Sequence, residues 1–585
     1  MNRRQFLAAS AAATTPLSFA QAPSAAGRPN VILIMTDDQG YGDLSAHGNP
    51  ALKTPNLDRL RSESVRFTDF HVTPMCTPTR SQLMTGRDAL ANGAMNVSSG
   101  RAMLRRGIPT MANLFAAGGY RTGIFGKWHL GDTFPYRPED RGFQEAVGFP
   151  SSHIGSAPDA WNNDYQDDTY MHNGKRAPYK GYCTDVFFDE ATRWIRASGD
   201  KPFFAYIPTN APHGPLFVPD KYKEPYRHLA PALASFFGMI ANIDENIGKL
   251  EASLTEAGLR ENTIVVFLTD NGATAGFTFY NAGMRGQKTA LWEGGHRTPL
   301  FLRWPGKKLA EPRDIDELTT VQDILPTLSE LCGLAGPATG LNGISLAPLL
   351  RGVARVLPDR NVVIQFGRMN VGCPEYGDAV VLWKKWRLVS LSELYDIAKD
   401  PAQKDNVIEK NPALAERLRA HYDAWWAQVQ PRLSSFEPVY IGAPEENPVM
   451  LSPTEWADSF FDQGVQIRTG LPRNGVWHIN VVRGGPYEFV LRRWPKGVDV
   501  SLRAELPAHK GEWGGYPAGV ALPVASAELS VAGRIVRQKS GAADKEVVFQ
   551  VPLPEGRNRL QATFFDDAGR ELCGAYYVYA RYTGA

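Results

Sequence analysis

Five consecutive apolar residues, Val31-Ile32-Leu33-Ile34-Met35, end abruptly in Thr36-Asp37-Asp38. A strand apolar on both faces must be covered on both sides, as the strands of a parallel sheet are. The arrangement recurs. Thr263 to Leu268 runs into Asp270-Asn271-Gly272, Arg121 to Phe125 into Gly126-Lys127-Trp128-His129, and Phe203 to Ile207 into Pro208 and then Pro212-His213. Helical patterns lie between these strands. Thr54-Pro55 reads as an N-cap followed by proline at the first helical position. Ile240, Ile243, Ile247, Leu250 and Leu254 mark one apolar helix face, which Gly258 can end. Strands alternating with helices imply an α/β fold with a mostly parallel sheet, and such sheets bind ligands beyond the carboxyl ends of their strands. Four strand ends carrying polar residues can therefore converge on one site.

After about residue 335 the pattern changes. Leu394-Tyr395-Asp396 and Lys399-Asp400-Pro401 read as a strand end and a turn, and a helix is predicted from about Pro412 to Gln428. From about residue 436, period-two alternation takes over. Trp477, Ile479 and Val481 precede a turn at Gly484-Gly485, Tyr487, Phe489 and Leu491 follow it, and Leu560, Ala562 and Phe564 precede Asp567-Ala568-Gly569. This predicts an appended antiparallel β domain, a sandwich. Its Trp477, Tyr487, Trp494, Trp513 and Tyr516 have two uses open to them, stacking on sugar rings or filling a core. The predicted units are a catalytic α/β domain over 27–335, a smaller α+β subdomain over 336–435 and the β domain over 436–585.

Residues 1–26 stand apart. Asn2-Arg3-Arg4-Gln5-Phe6-Leu7 resembles a bacterial twin-arginine export signal, and small residues around Ala20 and Ala22 offer cleavage sites. This implies passage through the twin-arginine export machinery to the periplasm or beyond. The 63 Lys+Arg against 61 Asp+Glu leave a net charge of +2, which gives no support to nucleic-acid binding. No apolar run is long enough to span a bilayer, so no transmembrane segment is expected. Five widely spaced cysteines without a CxxC pair exclude zinc-ribbon and thioredoxin readings and leave room for one disulfide.

The sharpest signal is the run Cys76-Thr77-Pro78-Thr79-Arg80-Ser81-Gln82-Leu83-Met84-Thr85-Gly86-Arg87. Pro78 is tolerated in a first helical turn and Gly86 can end a short helix. Cys76 is thereby placed at a helix N-terminus, where free N–H groups attract an anion. Arg80, four residues on, can face the same way. The whole run resembles the formylglycine signature of the type I, arylsulfatase-like sulfatases of the alkaline phosphatase superfamily. In that family the cysteine is oxidised to an aldehyde while the chain is still unfolded, and the aldehyde hydrates to a geminal diol.

The resemblance extends from about Pro29 to Asn406. It implies an alkaline-phosphatase-like mixed, mostly parallel sheet flanked by helices. It implies that Asp37, Asp38, Asp270 and Asn271, with the diol derived from Cys76, bind one divalent cation. Three carboxylates and an amide oxygen suit Ca2+, with Mg2+ as the alternative, and the soft ligands of zinc are missing. The block Gly126-Lys127-Trp128-His129-Leu130-Gly131 implies that Lys127 binds the sulfate and the modified residue and that His129 contacts the diol. Ala211-Pro212-His213 matches the block whose histidine reaches the ester oxygen. Lys288, ahead of Glu293-Gly294-Gly295, matches a second sulfate-binding lysine. His296 departs from the family pattern, which more often has an aliphatic residue before Arg297, and is expected to reshape a pocket wall.

The implied reaction is hydrolysis of a sulfate ester to an alcohol and inorganic sulfate. One diol oxygen attacks sulfur, His213 or Lys288 protonates the leaving oxygen, and His129 takes a proton from the second hydroxyl so that sulfate is expelled. A sulfated small molecule or glycan outside the cell is the implied substrate, and a formylglycine-generating maturation enzyme the implied partner. Two other readings stay open. A phosphonate or phosphate ester hydrolase on the same nucleophile handles a similar tetrahedral anion, and a non-catalytic glycan-binding protein would keep Cys76 intact. Loops such as Ser151 to Lys180 are expected to shape the pocket.

Overall fold

The structure is a computed structural model that describes residues 27–584, apart from 308, 310, 337, 338, 370 and 371. The export signal read in residues 1–26 lies outside the described residues. Ten strands form the central sheet: β1 (Asn30–Thr36), β2 (Val65–Phe67), β3 (Arg121–Lys127), β4 (Glu145–Phe149), β5 (Thr169–His172), β6 (Lys175–Pro178), β7 (Phe203–Pro208), β8 (Thr263–Thr269), β9 (Leu300–Arg303) and β10 (Arg313–Ile315). Their order is β10-β2-β9-β8-β1-β7-β3-β4-β5-β6. The central run β8-β1-β7-β3-β4 is parallel, and antiparallel partners flank it on each side.

Among the described residues, five helices of eight or more residues pack on this sheet, α1 (Pro55–Ser62), α2 (Cys76–Thr85), α3 (Cys183–Arg196), α4 (Pro231–Glu256) and α5 (Ile324–Leu331), and a sixth, α6 (Pro412–Val429), packs on a second sheet. Strand β1 is covered on both faces, as its sequence requires. Val31, Leu33 and Met35 enter one core with Leu83 of α2 and Leu328 of α5. Ile32 and Ile34 enter a second with Leu57 of α1, Phe187 of α3 and Ile243, Ile247, Leu250 and Leu254 of α4. Thr54 stands at the N-cap of α1 but makes no cap bond with its side chain. Its hydroxyl donates to Asp58 instead and accepts from the Ser45 amide.

A four-stranded antiparallel sheet, β11 (Val362–Gln365), β12 (Ala379–Trp383), β13 (Trp386–Val389) and β14 (Glu393–Asp396), packs on α6. From Val439 the chain builds a two-sheet sandwich. Strands β15 (Val439–Ile441), β16 (Val449–Leu451), β17 (Trp477–Val481), β18 (Gly485–Arg492), β19 (Ser526–Val531), β20 (Arg534–Lys539), β21 (Val547–Leu553), β22 (Gly556–Phe565), β23 (Glu571–Gly574) and β24 (Tyr577–Tyr582) are divided between its sheets. The turn at Gly484-Gly485 does not close a hairpin. β17 pairs with β22 and β18 with β21 and β24, so the turn carries the chain from one sheet to the other. Alternation alone places both strands' apolar faces inward and is blind to which sheet each joins.

Trp477, Tyr487 and Trp494 fill the sandwich core. Trp513 and Tyr516 pack edge-on against Tyr182 and Phe217 of the α/β unit. Three of these five aromatics are core residues, and the other two are half-buried at the contact with the α/β unit. The sandwich core also takes in Met103, Tyr136 and Ala157, so the two units share apolar contacts. All five cysteines are free, and the disulfide allowed by the sequence does not form.

Where the sandwich meets β3 and β4, a cavity of about 490 Å³ remains, lined by Trp128, Phe149, Tyr579 and the carboxyls of Asp132, Asp159 and Glu455. Burial pushes Glu455 up to about 8 and Asp132 up to about 7. A carboxyl whose folded pKa is raised stabilises the fold fully below its unfolded value and loses that contribution as pH rises through the folded value. Resistance to urea is therefore expected to fall between about pH 4.5 and 8. Glu455→Gln is expected to flatten part of this slope, gaining about 1–2 kcal/mol at pH 8. Unfolding curves at pH 5 and pH 8 measure it, and an unchanged slope in the variant would refute it.

Candidate active site

Helix α2 has all ten residues buried, most of them polar, so no apolar face announces it. Its hydroxyls turn to the backbone: Thr79 donates to the Thr73 carbonyl at 2.8 Å and Thr85 to that of Ser81 at 2.6 Å. Gly86 ends the helix with φ 64°, and a β-carbon there would lie 2.8 Å from Leu341 Cδ2. Cys76 is the first residue of the helix. Burial pushes its thiol up to about 11. An unmodified Cys76 is therefore protonated at neutral pH and a poor nucleophile.

The central strands bring their polar ends to this cysteine. β1 delivers Asp37 and Asp38, β8 Asp270 and Asn271, β3 Lys127 and His129, and β7 leads to His213, while Lys288 comes from the loop before Glu293. Three acids meet three cations. Lys127 Nζ lies 2.5 Å from Asp37 Oδ2, and Lys288 Nζ lies 2.5 Å from Asp38 Oδ1. Arg80 grips Asp270 Oδ2 through Nη2 (2.8 Å) and Nε (3.1 Å) and donates to the Lys127 carbonyl. Asn271 Nδ2 donates to Asp38 Oδ1 at 2.8 Å. His213 Nε2 is 3.7 Å from Asp38 Oδ2.

These contacts set the charges. Burial alone would raise Asp38, yet Lys288 and His213 hold it below the usual carboxylate range. Burial and the neighbouring Asp37 raise Asp270. Burial, aided by Lys127, holds His129 well below the usual histidine range. His129 is thus neutral; its Nε2 lies 2.9 Å from the Val97 carbonyl and its Nδ1 has no partner.

The donor set fits a hard divalent cation. Asp37 Oδ1 and Asn271 Oδ1 are buried without a hydrogen-bond partner, and ligand atoms of Asp37, Cys76 and Asp270 lie within 4.8 Å of one another. Two orphaned acceptors beside three carboxylates are what a Ca2+ or Mg2+ ion would satisfy. A second group, His71, Glu293 and His296, has comparable spacing. There Arg387 already binds Glu293 (2.7 Å) and Asp69 (2.7 Å), so the acids are neutralised without an ion. His296 does not reshape a pocket wall as expected from the sequence. It is fully buried, with its Nδ1 2.9 Å from that of His71, inside this network.

Asp37, Asp38, Cys76, Arg80, Lys127, His129, His213, Asp270, Asn271 and Lys288 lie together in this one assembly, and His296 lies outside it. Two neighbours carry no signal in the sequence. The His153 ring stacks on that of His213 with centroids 5.3 Å apart. Asp462, from the segment between β16 and β17 of the sandwich, accepts from Ser152 Oγ at 2.6 Å and lies 3.8 Å from His153 Nδ1. His153 falls in the loop expected to shape the pocket, but neither spacing nor motif marks it.

Known proteins match this chain over its α/β unit and the sheet that follows. The sulfatase family model matches residues 29–334, and a model of the C-terminal region of N-sulphoglucosamine sulphohydrolase matches residues 286–423. Human arylsulfatase A is 32% identical over 373 residues, spanning 58% of this chain and 71% of that protein. The structure of Ps i-CgsB in complex with k-i-k-neocarrahexaose is similar, with a TM-score of 0.63 and 27% identity over 70% of this chain and 95% of that one. The phosphonate monoester hydrolase of Agrobacterium radiobacter shares the fold, with a TM-score of 0.51 and 24% identity over 69% of this chain and 96% of that one.

Proposed function

The chain belongs to the sulfatase family and is a sulfuric ester hydrolase, and from that premise we propose that Cys76, matured to formylglycine, is its nucleophile. The observation that supports this reading is the convergence of three acids and three cations on the N-terminus of α2, where the buried thiol itself is a poor nucleophile. The hydrated aldehyde supplies two hydroxyls, one to attack sulfur and one whose proton loss releases sulfate. Asp37, Asp38, Asp270 and Asn271 would hold a Ca2+ or Mg2+ ion, which would supply positive charge to the sulfate and the nucleophile.

The chain's own residues do the rest. Lys127, Lys288 and Arg80 surround the anion and orient it, in a site dry enough for their charges to act strongly. His213 stands on the open side, 19% exposed, and donates a proton to the departing oxygen, with Lys288 beside it. His129, neutral and with Nδ1 free, accepts the proton of the second hydroxyl. The substrate is a sulfated carbohydrate or aryl sulfate met outside the cytoplasm, and residues 1–26 direct the chain to the periplasm through twin-arginine export.

The test is the mass of the tryptic peptide from Phe67 to Arg80, expected to be about 18 Da lighter than the cysteine form in protein from a host with the maturation enzyme. An unmodified peptide in protein that still releases sulfate would overturn the assignment. Paired rates on aryl sulfate and aryl phosphonate separate the sulfatase reading from phosphonate hydrolysis, which the shared fold leaves open.

A further inference from the structure

The segment between β16 and β17 is threaded into the catalytic unit. The Asp458 amide donates to the Ser99 carbonyl (3.2 Å), Ser98 Oγ to the Phe461 carbonyl (3.0 Å), the Ala157 amide to the Asp462 carbonyl (2.8 Å) and the Gly464 amide to the Gly155 carbonyl (3.0 Å). Four bonds to two separate loops fix its course. They bring two side chains to the nucleophile. Phe460, partly exposed, packs against the cluster of Met75, Cys76 and Val97, as does Phe366, also partly exposed, from the end of β11. Asp462 stands beside His153 and His213 and keeps 9% of its side chain exposed.

We propose that Phe366, Phe460, His153 and Asp462 form the subsite for the alcohol half of the ester, and that this subsite takes a pyranose ring whose neighbouring substituents are neutral hydrogen-bond donors. This rests on the reading of Cys76 as the sulfatase nucleophile. The chemistry follows from the residue types. Aromatic faces beside the reacting centre suit the C–H face of a sugar ring. A carboxylate offers about four acceptor positions; the Ser152 hydroxyl, reaching both oxygens, and the Ser151 hydroxyl at 3.4 Å take up part of Asp462's capacity, and the remainder suits a hydroxyl or amide N–H group. Burial raises the Asp462 carboxyl against the pull of Ser152, His213 and the two lysines, and in either protonation state it offers no cation to a second sulfate or a uronate carboxylate on that side of the ring. The subsite is composite: the sandwich supplies half of it, which gives the appended domain a role in substrate selection.

The experiment uses the full chain with matured Cys76 and three probes: 4-methylumbelliferyl sulfate, mono-O-sulfated pyranosides with free hydroxyls, and the same pyranosides carrying a second sulfate. The wild type is expected to prefer the monosulfated sugars. Asp462→Asn and Phe460→Ala are each expected to lower the ratio of kcat/KM on the preferred sugar to that on the aryl sulfate by about tenfold, mainly through KM. Phe460→Tyr keeps the wild-type ratio. Asp462→Asn is isosteric, so it decides the matter alone should Phe460→Ala fail to fold. An unchanged ratio in Asp462→Asn, or a wild type that cleaves aryl sulfate and no sulfated pyranoside, would overturn the subsite while leaving the nucleophile in place. A wild type that cleaves none of the three overturns the proposed function and the subsite with it.

Discussion

Cys76→Ala is expected to lower kcat for sulfate release by about five orders of magnitude or more, the usual cost of losing a covalent nucleophile. The same loss is expected of wild-type protein made without the maturation enzyme, and that is the sharper result. A buried thiol pushed up to about 11 is almost wholly protonated at neutral pH. Lys127 and Lys288 lower it, but burial and the charges of Asp37 and Asp270 outweigh them. Without a bound cation the pocket therefore favours the thiol over the thiolate, whereas a neutral diol faces no such penalty until it loses its proton. Sulfate release from both preparations, with peptide mass as the control, checks the prediction. Equal activity in the two would mean that the thiol itself reacts.

Ending the chain at residue 435 is expected to cost soluble, folded protein. The alternation after residue 436 suggests a separable module, yet Met103, Tyr136 and Ala157 of the α/β unit sit in the sandwich core. Leaving large apolar side chains in water costs about 1.5–3 kcal/mol each, against a total stability of about 5–15 kcal/mol. The loops around Ser98 and Ser152 would also lose Phe461 and Asp462 as hydrogen-bond partners. Any soluble fraction is expected to hydrolyse sulfate esters at least about a hundredfold more slowly, because small misplacements near the reacting atoms are that costly. Soluble yield, thermal unfolding and rate per folded molecule measure this. A truncated chain with wild-type melting and activity would show the sandwich to be an independent passenger.

The strands were legible because burial on two faces leaves an unmistakable apolar run, and β1 splits its side chains between two cores as that run requires. The site residues were named through the motifs that carry the sulfatase resemblance, and the apolar strands ending in polar residues added only that those ends can converge. Sheet membership in the sandwich was not, since alternation reports which face is buried and says nothing of the partner strand. Asp462 and His153 escaped for a related reason. Their contact joins residues 309 positions apart, through a fold that no local pattern encodes. Helix α2 is the instructive middle case: its residues are polar and buried throughout, so periodicity fails, and only the local chemistry of Cys76, Pro78 and Gly86 marks it.

The threading of Phe460 beside Cys76 has a consequence for timing. On the ribosome, Phe460 is made 384 residues after Cys76. At about 5–20 residues per second, this gives roughly 20–80 s during which the cysteine exists but the wall over it does not. The order of synthesis therefore works as a clock. Under the proposed maturation of Cys76, the residue to be oxidised is made early and the Phe460 segment that packs against it is made late, so oxidation and closure compete within this interval.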